Sequence, residues 1–212
     1  MSRKSKTRMD PKTHWDTLYR TKDVHDVSWF QSEARRSLEL ITQVAPDYSA
    51  PIIDVGAGAS VLVDNLLDAG YRDLTVLDVS EAALAISRCR LGGDAAQVRW
   101  LAADILGVRL DQGAYAVWHD RAVFHFLTDA ADRKAYVEQV RRSVRPGGHV
   151  LVATFAEDGP KRCSGLPVVR YSADSLHSEF GPDFRVLITE HEDHRTPEGS
   201  SQSFLYCLCH RE

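Results

Sequence analysis

Aspartates and glycines recur in this sequence directly after short apolar runs, a pattern that could bind the sugar hydroxyls of a nucleoside. The series comprises Asp54, Gly56, Gly58, Asp78, Asp104 and Asp120. A carboxylate accepts hydrogen bonds from two hydroxyl groups, and glycine lets a ligand approach the main chain because it has no Cβ atom. Since open parallel sheets bind ligands beyond the carboxyl ends of their strands, the pattern predicts one nucleoside site at that edge.

The first of these runs leads into a glycine turn. Ile52–Val55 favours a buried strand, Gly56-Ala57-Gly58 follows, and a helical pattern begins at Ser60. A strand, a glycine turn and a helix start form the first half of a nucleotide-binding βαβ unit. Such turns occur in proteins that bind nicotinamide, flavin or S-adenosylmethionine (SAM), and also where nothing binds. The third glycine of G-x-G-x-x-G is absent, which argues against a dinucleotide.

Two further acids end the next predicted strands. Asp78 closes the run Leu74–Asp78 about 20 residues after the glycine turn, the spacing of an acid that binds ribose hydroxyls. Asp104 follows the predicted strand Val98–Leu101, where its carboxylate could accept the adenine amino group while Ile105 packs on the ring. The alternative for Asp104 is an ordinary aspartate at a helix start.

A fourth predicted strand, Tyr115–Trp118, delivers His119, Asp120 and Arg121 to the same edge. His119 and His125 are candidate general bases because imidazole titrates near neutral pH. His125 lies between two phenylalanines, so a core position is its alternative. Arg121 could bind an anionic substrate or lie at the solvated surface. The same two alternatives apply to Arg162, Arg170 and Tyr171.

The elements around these residues alternate between strands and helices, which predicts an α/β domain with a parallel sheet. Helices are predicted to begin at Ser60, Ser80 and Thr128 and to span Ala173–Phe180. The remaining strands are predicted at His149–Phe155, Phe184–Ile188 and Ser203–Leu208, the last two forming a hairpin.

Two segments could cover the site. Residues 11–45 are mostly helical in pattern and contain the aromatic stretch Val27–Phe30. This stretch either covers one edge of the sheet or folds over the cofactor cleft as a lid, in which case Trp29 contacts the cofactor. The polar loop Ala156–Arg170 follows the fifth strand and is a candidate substrate lid.

Length and composition limit the function further. We expect the 212 residues to form a single domain, residues 1–212, with residues 1–10 as a flexible tail. A net charge of −4 gives no reason to expect nucleic-acid binding. With no signal sequence and no run of membrane-spanning length, a soluble, cytoplasmic protein is expected. Cys207, Cys209 and His210 could hold a metal, but buried free thiols and no metal site are expected.

From about Pro51 to the C-terminus the series VGAGAS, LDVS, AADIL, HDRAVFHFL, RPGG and the terminal hairpin resembles the class I SAM-dependent methyltransferases. The N-terminal HWDTLYRTKDVHDVSWF resembles a bacterial-type subgroup related to methyltransferase-like proteins, some of which methylate protein lysines. Thiopurine-type methyltransferases are more distantly similar. The resemblance implies a Rossmann-like, doubly wound, seven-stranded sheet of order 3-2-1-4-5-7-6, with strand 7 antiparallel and an N-terminal helical lid.

The resemblance also implies roles for individual residues. It places the methionine end of SAM at Gly56, Ala57 and Gly58, with Asp54 beneath that turn. It assigns the ribose to Asp78 and the adenine to Val79, Asp104 and Ile105. Asp120 would lie near the methionyl and methyl groups, and the product would be S-adenosylhomocysteine (SAH).

The expected function is therefore transfer of the SAM methyl group to a small-molecule acceptor by in-line displacement, with His119, Asp120, Arg121 and His125 as the candidate catalytic residues. A protein lysine methyltransferase and a non-catalytic SAM-binding protein are the alternatives. A short-chain nicotinamide oxidoreductase is disfavoured, because no tyrosine has a lysine four residues later. Neither the acceptor atom nor the oligomeric state follows from the sequence.

Overall fold

The computed structural model describes residues 10–212, so the predicted flexible tail lies outside the described residues except for Asp10. Seven strands form one sheet: β1 (Ile52–Val55), β2 (Leu74–Asp78), β3 (Val98–Ala102), β4 (Tyr115–Arg121), β5 (Val144–Phe155), β6 (Phe184–Arg195) and β7 (Ser201–Arg211). Their order is β3-β2-β1-β4-β5-β7-β6, with β7 antiparallel to both neighbours. The predicted doubly wound sheet is confirmed.

Six helices accompany the sheet in the described part of the chain: α1 (Pro11–Thr21), α2 (Arg35–Val44), α3 (Leu62–Ala69), α4 (Glu81–Leu91), α5 (Ala130–Ser143) and α6 (Ala173–Phe180). Short 3-10 helices span Val24–Asp26, Gly92–Gln97 and Phe124–Phe126. Ser80 caps α4, as predicted, by accepting the Ala83 N–H at 3.2 Å.

Strand alternation divides the core into two layers. Ile52 and Val117 pack on the face that carries α2 and α3, whereas Ile53 and Trp118 pack on the face that carries α5 and α6. Because helices cover both faces, the central strands are apolar at consecutive positions. The same alternation decides which face each polar residue of these strands reaches.

Several strand boundaries differ from the predictions, and β5 begins at Val144 instead of His149. β4 continues through Arg121, so the polar triplet that was expected beyond the strand lies within it. β6 and β7 extend well past the predicted hairpin residues, because alternate β6 side chains face solvent and are therefore polar. The loop Ala156–Arg170 contains a small hairpin, the 162–167 hairpin, in which Arg162–Cys163 pairs with Leu166–Pro167.

The cysteines near the C-terminus are buried free thiols, as predicted. Cys207 and Cys209 lie on the same face of β7 with their Sγ atoms 3.6 Å apart. Within residues 10–212, His, Cys, Asp and Glu side chains do not converge in groups of three that could hold a metal ion. No helix in this part of the chain is long and apolar enough to span a membrane.

Candidate active site

A cavity of about 630 Å³ lies at the carboxyl ends of β1 to β4, within the size range of small-ligand sites. It brings together ten of the residues predicted from the sequence: Trp29, Asp54, Gly56, Ala57, Asp78, Val79, Asp104, Ile105, His119 and Arg121. Asp78 and Asp104 therefore face the same space, as the nucleoside hypothesis requires. Gly58, Asp120 and His125 are not among the residues that line it.

The glycine turn is covered by the protein's own side chains. Gly56 and Gly58 have φ angles of +62° and +56°, which favour glycine. A Cβ atom at Gly56 would lie 1.8 Å from Val123 Cγ2, and one at Gly58 would lie 2.2 Å from the Tyr19 hydroxyl oxygen. In the direction where a Cβ would project, the space beside Gly58 is thus occupied by Tyr19 of α1, and ligand binding at Gly58 stays a prediction.

Asp78 is oriented by the backbone. Its Oδ2 accepts the Gly58 N–H and its Oδ1 accepts the Ser80 N–H, both at 2.7 Å. Burial raises the pKa of the Asp78 carboxyl to about 6, although the two amide donors oppose that shift. Each oxygen retains a second lone pair, so the carboxylate can still accept ligand hydroxyls.

Asp104 lies in a turn after β3 and not at a helix start, which was its alternative. Its Oδ1 accepts the Leu106 N–H at 2.9 Å, which is the local turn expected of an aspartate after a strand. The residue also lines the cavity, next to the buried Ile105. The local bond uses one oxygen and leaves the other available to a ligand.

Asp54, His119 and Ser37 form a buried hydrogen-bonded chain along the cavity wall. Asp54 and His119 are cross-strand neighbours on β1 and β4, and His119 Nδ1 lies 2.7 Å from Asp54 Oδ1. His119 Nε2 lies 2.8 Å from Ser37 Oγ, in the first turn of α2. Since both ring nitrogens are engaged, this geometry gives no support to His119 as the general base.

Asp120 lies on the opposite face of β4 from His119. Its carboxylate accepts the N–H groups of Val123 and Phe124, at 3.0 and 3.1 Å, and the Tyr136 hydroxyl. Burial raises the pKa of Asp120 to about 6. The carboxylate therefore shapes the turn that places Val123 over Gly56, and Asp120 does not line the cavity.

His125 lies in the core. Its ring packs against Phe126 and Phe155, with centroids 4.5 and 4.7 Å away, and its Nδ1 accepts the Phe155 N–H at 3.3 Å. Burial lowers the pKa of His125 to about 3, so the ring is neutral and weakly basic. This placement argues against His125 as a general base and agrees with the core alternative.

Arg121 reaches the cavity but is held by several groups. Its Nε donates to the Tyr206 hydroxyl at 3.0 Å, its Nη1 donates to the Trp29 carbonyl at 3.3 Å, and its guanidinium lies 4.2 Å from the Phe204 ring centroid. Glu192 is within ion-pair range at 3.8 Å. Arg121 thus ties the Trp29 segment to β4. The other anion-binding candidates, Arg162, Arg170 and Tyr171, do not line the cavity.

The N-terminal segment covers the cavity, which agrees with the lid alternative. Asp16 of α1 accepts the Ser80 hydroxyl at 2.8 Å and the Ala82 N–H at 3.2 Å, and so attaches α1 to the start of α4. The Ser28 carbonyl lies 2.9 Å from His194 Nε2. The 162–167 hairpin closes another side with Cys163, Leu166 and Pro167.

Sequence reasoning missed several cavity residues, namely Trp15, Tyr19, Ser37 and Phe126. Trp15 makes edge-on contacts with Trp29 and Phe126, with centroids 5.7 and 5.3 Å apart. Trp15 and Tyr19 are four positions apart and so share one face of α1, but no pattern in the sequence indicates what that face meets. Ser37 carried no signal at all.

Comparison with known proteins identifies related sequences and folds. Residues 52–148 match the family model described as a methyltransferase domain. The EEF1A lysine methyltransferase 2 of Danio rerio is 25% identical over 162 residues, covering 70% of each chain. The ubiquinone biosynthesis O-methyltransferase of Ralstonia nicotianae is 26% identical over 143 residues, covering 66% of this chain and 56% of the relative.

Among solved structures, the N-methyltransferase NodS of Bradyrhizobium japonicum, in complex with SAH, superposes with a TM-score of 0.70 at 14% identity. The superposition covers 93% of this chain and 98% of NodS. The matched methyltransferase segment spans β1 to β4, the strands whose ends build the cavity, and the sheet has the order that the resemblance implied. Residues 52–148 therefore match a methyltransferase domain, and the chain has the fold of the SAH-bound methyltransferase NodS.

Proposed function

We propose that this SAM-dependent methyltransferase methylates a small-molecule acceptor bound inside the cavity. The observation that carries the proposal is that the cavity is covered by the chain's own N-terminal segment and by the 162–167 hairpin. Both covers are attached by hydrogen bonds. Asp16 joins α1 to the start of α4, and His14 Nε2 of α1 lies 3.2 Å from Ser164 Oγ of the 162–167 hairpin. An acceptor that reacts beneath them must be small.

The cavity residues fit SAM as the methyl donor. Asp54 Oδ2 is buried and has no hydrogen-bond partner among the described residues, so it can accept from the ammonium group of the methionine end. Asp78 can accept ribose hydroxyls, and Val79 and Ile105 supply an apolar surface for the adenine. When bound, SAM supplies a methyl group on a sulfonium, which a nucleophile displaces in line.

The chain contributes position and a dry environment. Trp15, Trp29 and Phe126 form an aromatic wall that can hold a flat acceptor and exclude water. Arg121 places a cation at the cavity; its Nη2 lies 3.8 Å from Glu192 without a hydrogen bond to any described residue, so it can also donate to an acceptor oxygen. Holding the acceptor near attack distance accounts for a large share of such a rate enhancement.

A protein lysine is the second candidate acceptor. It is favoured by the similarity to the zebrafish EEF1A lysine methyltransferase 2, together with the aromatic wall, since aromatic faces attract ammonium groups. A lysine side chain would have to enter between α1 and the 162–167 hairpin, so this function requires the two covers to separate.

Methyl transfer from radiolabelled SAM to cell lysate, followed by size separation, distinguishes the two acceptors. We expect the label in the small-molecule fraction, and label in protein that survives acid hydrolysis as methyl-lysine would replace the first proposal with the second. Thermal unfolding with SAM, SAH or NAD provides the matched test of the cofactor. SAM and SAH should raise the midpoint with concentration, and NAD should not.

A further inference from the structure

Arg121 is a buried cation whose charge the protein balances only in part. Its side chain is 9% exposed, and its Nε and Nη1 donate to neutral oxygens, those of Tyr206 and Trp29. Glu192 Oε2 lies 3.8 Å from Nη2, beyond hydrogen-bonding distance, and itself accepts the Tyr206 hydroxyl at 2.9 Å. Nη2 is buried without a hydrogen-bond partner in residues 10–212. Buried charged donors are normally paired, so a ligand oxygen is the expected partner.

The position of Arg121 along β4 assigns it to the acceptor end of the cavity. Arg121 and His119 share a face of this strand, and His119 is the cross-strand neighbour of Asp54. Two strand residues advance the chain by about 7 Å, so Arg121 lies past the group that we assign to the donor's ammonium. There its Nη1 holds Trp29 of one cover. Its charge also opposes the rise in the pKa of Cys163, in the other cover, which burial brings to about 12.

The charges around the cavity make Arg121 distinctive. Among the described residues that line the cavity, it is the only lysine or arginine. Burial lowers the pKa of His14, which also lines the cavity, so this ring adds no second positive charge at neutral pH. The aromatic wall of Trp15, Trp29 and Phe126 suits a flat ring. An ammonium group would also suit that wall, but the nearby guanidinium would repel it.

On the basis of the proposed function, a small acceptor beneath the two covers, we propose that this acceptor is a flat aromatic molecule with an anionic oxygen. Arg121 is the residue that selects it, by donating from Nη2 to that oxygen. Because Nε and Nη1 are already engaged, the contact is made by one nitrogen and not by a two-pronged fork. A carboxylate and a phenolate both supply such an oxygen.

Binding of aromatic probes to the full chain saturated with SAH tests the proposal without turnover. Naphthoate is the anionic probe, naphthamide is its neutral counterpart of the same shape, and naphthylmethylamine is the cationic one. The phenolate arm uses para-nitrophenol, whose visible absorption reports whether the bound form is ionised. Dissociation constants are measured by calorimetry for the wild type, Arg121→Met, Glu192→Gln and Arg133→Met. Arg133→Met is the matched control, because Arg133 is largely buried and paired with Glu179 at 2.7 Å but does not line the cavity.

The wild type should bind naphthoate more tightly than naphthamide. Arg121→Met should weaken naphthoate about 10- to 100-fold, the usual effect of a hydrogen bond to a charged group, and so abolish this preference. Glu192→Gln should strengthen naphthoate severalfold, because it removes the opposing charge and keeps an oxygen for the Tyr206 hydroxyl. A gain in affinity cannot come from misfolding. Arg133→Met should change none of the affinities, and the tighter of naphthoate and nitrophenolate identifies the anionic group.

Several results would overturn the proposal. They are equal affinities of the wild type for naphthoate and naphthamide, tighter binding of naphthylmethylamine, and no binding of either anion by a chain that binds SAH. If Arg121→Met weakens naphthoate and naphthamide equally, Arg121 only holds the covers and does not select the acceptor. Failure of the wild type to bind SAH, measured before any probe is added, would instead refute the proposed function.

Discussion

The contact between Gly58 and Tyr19 makes a quantitative prediction about how α1 is held over the glycine turn. Gly58→Ala places a methyl group 2.2 Å from the Tyr19 hydroxyl oxygen, at a φ of +56°. Tyr19 is buried, and its hydroxyl end would have to shift to admit the methyl group. In a Tyr19→Phe background that oxygen is absent, and the nearest atom of residue 19 lies 3.1 Å away.

Two costs add in the single variant. The left-handed backbone costs alanine about 1 kcal/mol relative to glycine, and overpacking a buried contact costs about 1–3 kcal/mol. We therefore expect Gly58→Ala to lower the free energy of unfolding by about 2–4 kcal/mol. In the Tyr19→Phe background the backbone cost remains and most of the contact cost disappears, which leaves about 1–2 kcal/mol.

Urea denaturation followed by tryptophan fluorescence measures these free energies. Gly147→Ala gives the backbone cost alone, because Gly147 has a φ of +76° and no atom within 4 Å of the Cβ position. Gly56→Ala is a second control, since its methyl group would meet Val123 and Tyr19→Phe should not relieve it. If Gly58→Ala costs the same in both backgrounds, Tyr19 does not cover Gly58 and the account of the lid is wrong.

Three further predictions follow from single side chains. Burial raises the pKa of Asp78 from 3.8 to about 6, so the native state binds this proton more tightly than the unfolded state. The free energy of unfolding of the wild type, compared with that of Asp78→Asn, should therefore fall by up to about 3 kcal/mol as the pH rises from 4 to 6. Equal pH slopes for the two proteins would contradict this. Asp16→Ala should cost about 1 kcal/mol and increase hydrogen exchange in α1, whereas Asp23→Ala, which removes an exposed cap elsewhere, should leave α1 protected. His125→Gln should keep the methyl-transfer rate within the same order of magnitude, whereas loss of a general base would reduce it about 10²- to 10⁴-fold.

Local patterns predicted the strands and the acids at their ends because these depend on short-range chemistry. The run that ends at Asp78 needs only its apolar residues and its distance from the glycine turn to be recognised, and Asp78 indeed faces the cavity with Asp104. Helix α6 was predicted with its exact bounds, and in the structure Ser172 caps its first turn and Gly181 follows its last residue.

Local sequence patterns could not predict contacts between segments that lie far apart in the sequence. Ser37 and His119 are separated by 82 positions, and nothing in the residues around Ser37 indicates that its side chain reaches β4. The neighbour of Gly58 could not be predicted for the same reason, because a lack of Cβ is equally useful to a ligand and to a tyrosine from a helix 39 residues earlier. Sequence spacing locates the glycine but does not reveal its neighbour.

The alternation of side chains along β4 explains why adjacent polar residues have unrelated surroundings. His119 and Arg121 point to the face where α2 and the N-terminal segment cover the cavity, and Asp120 between them points to α5. In a loop all three could have met one ligand, but a strand with a period of two separates them. The parallel register then sets His119 beside Asp54, since facing residues on neighbouring strands share a face. A one-residue slip of β4 against β1 would set Asp120 beside Asp54 and bury two carboxylates together, so the register that builds the cavity wall is also the one that electrostatics favours.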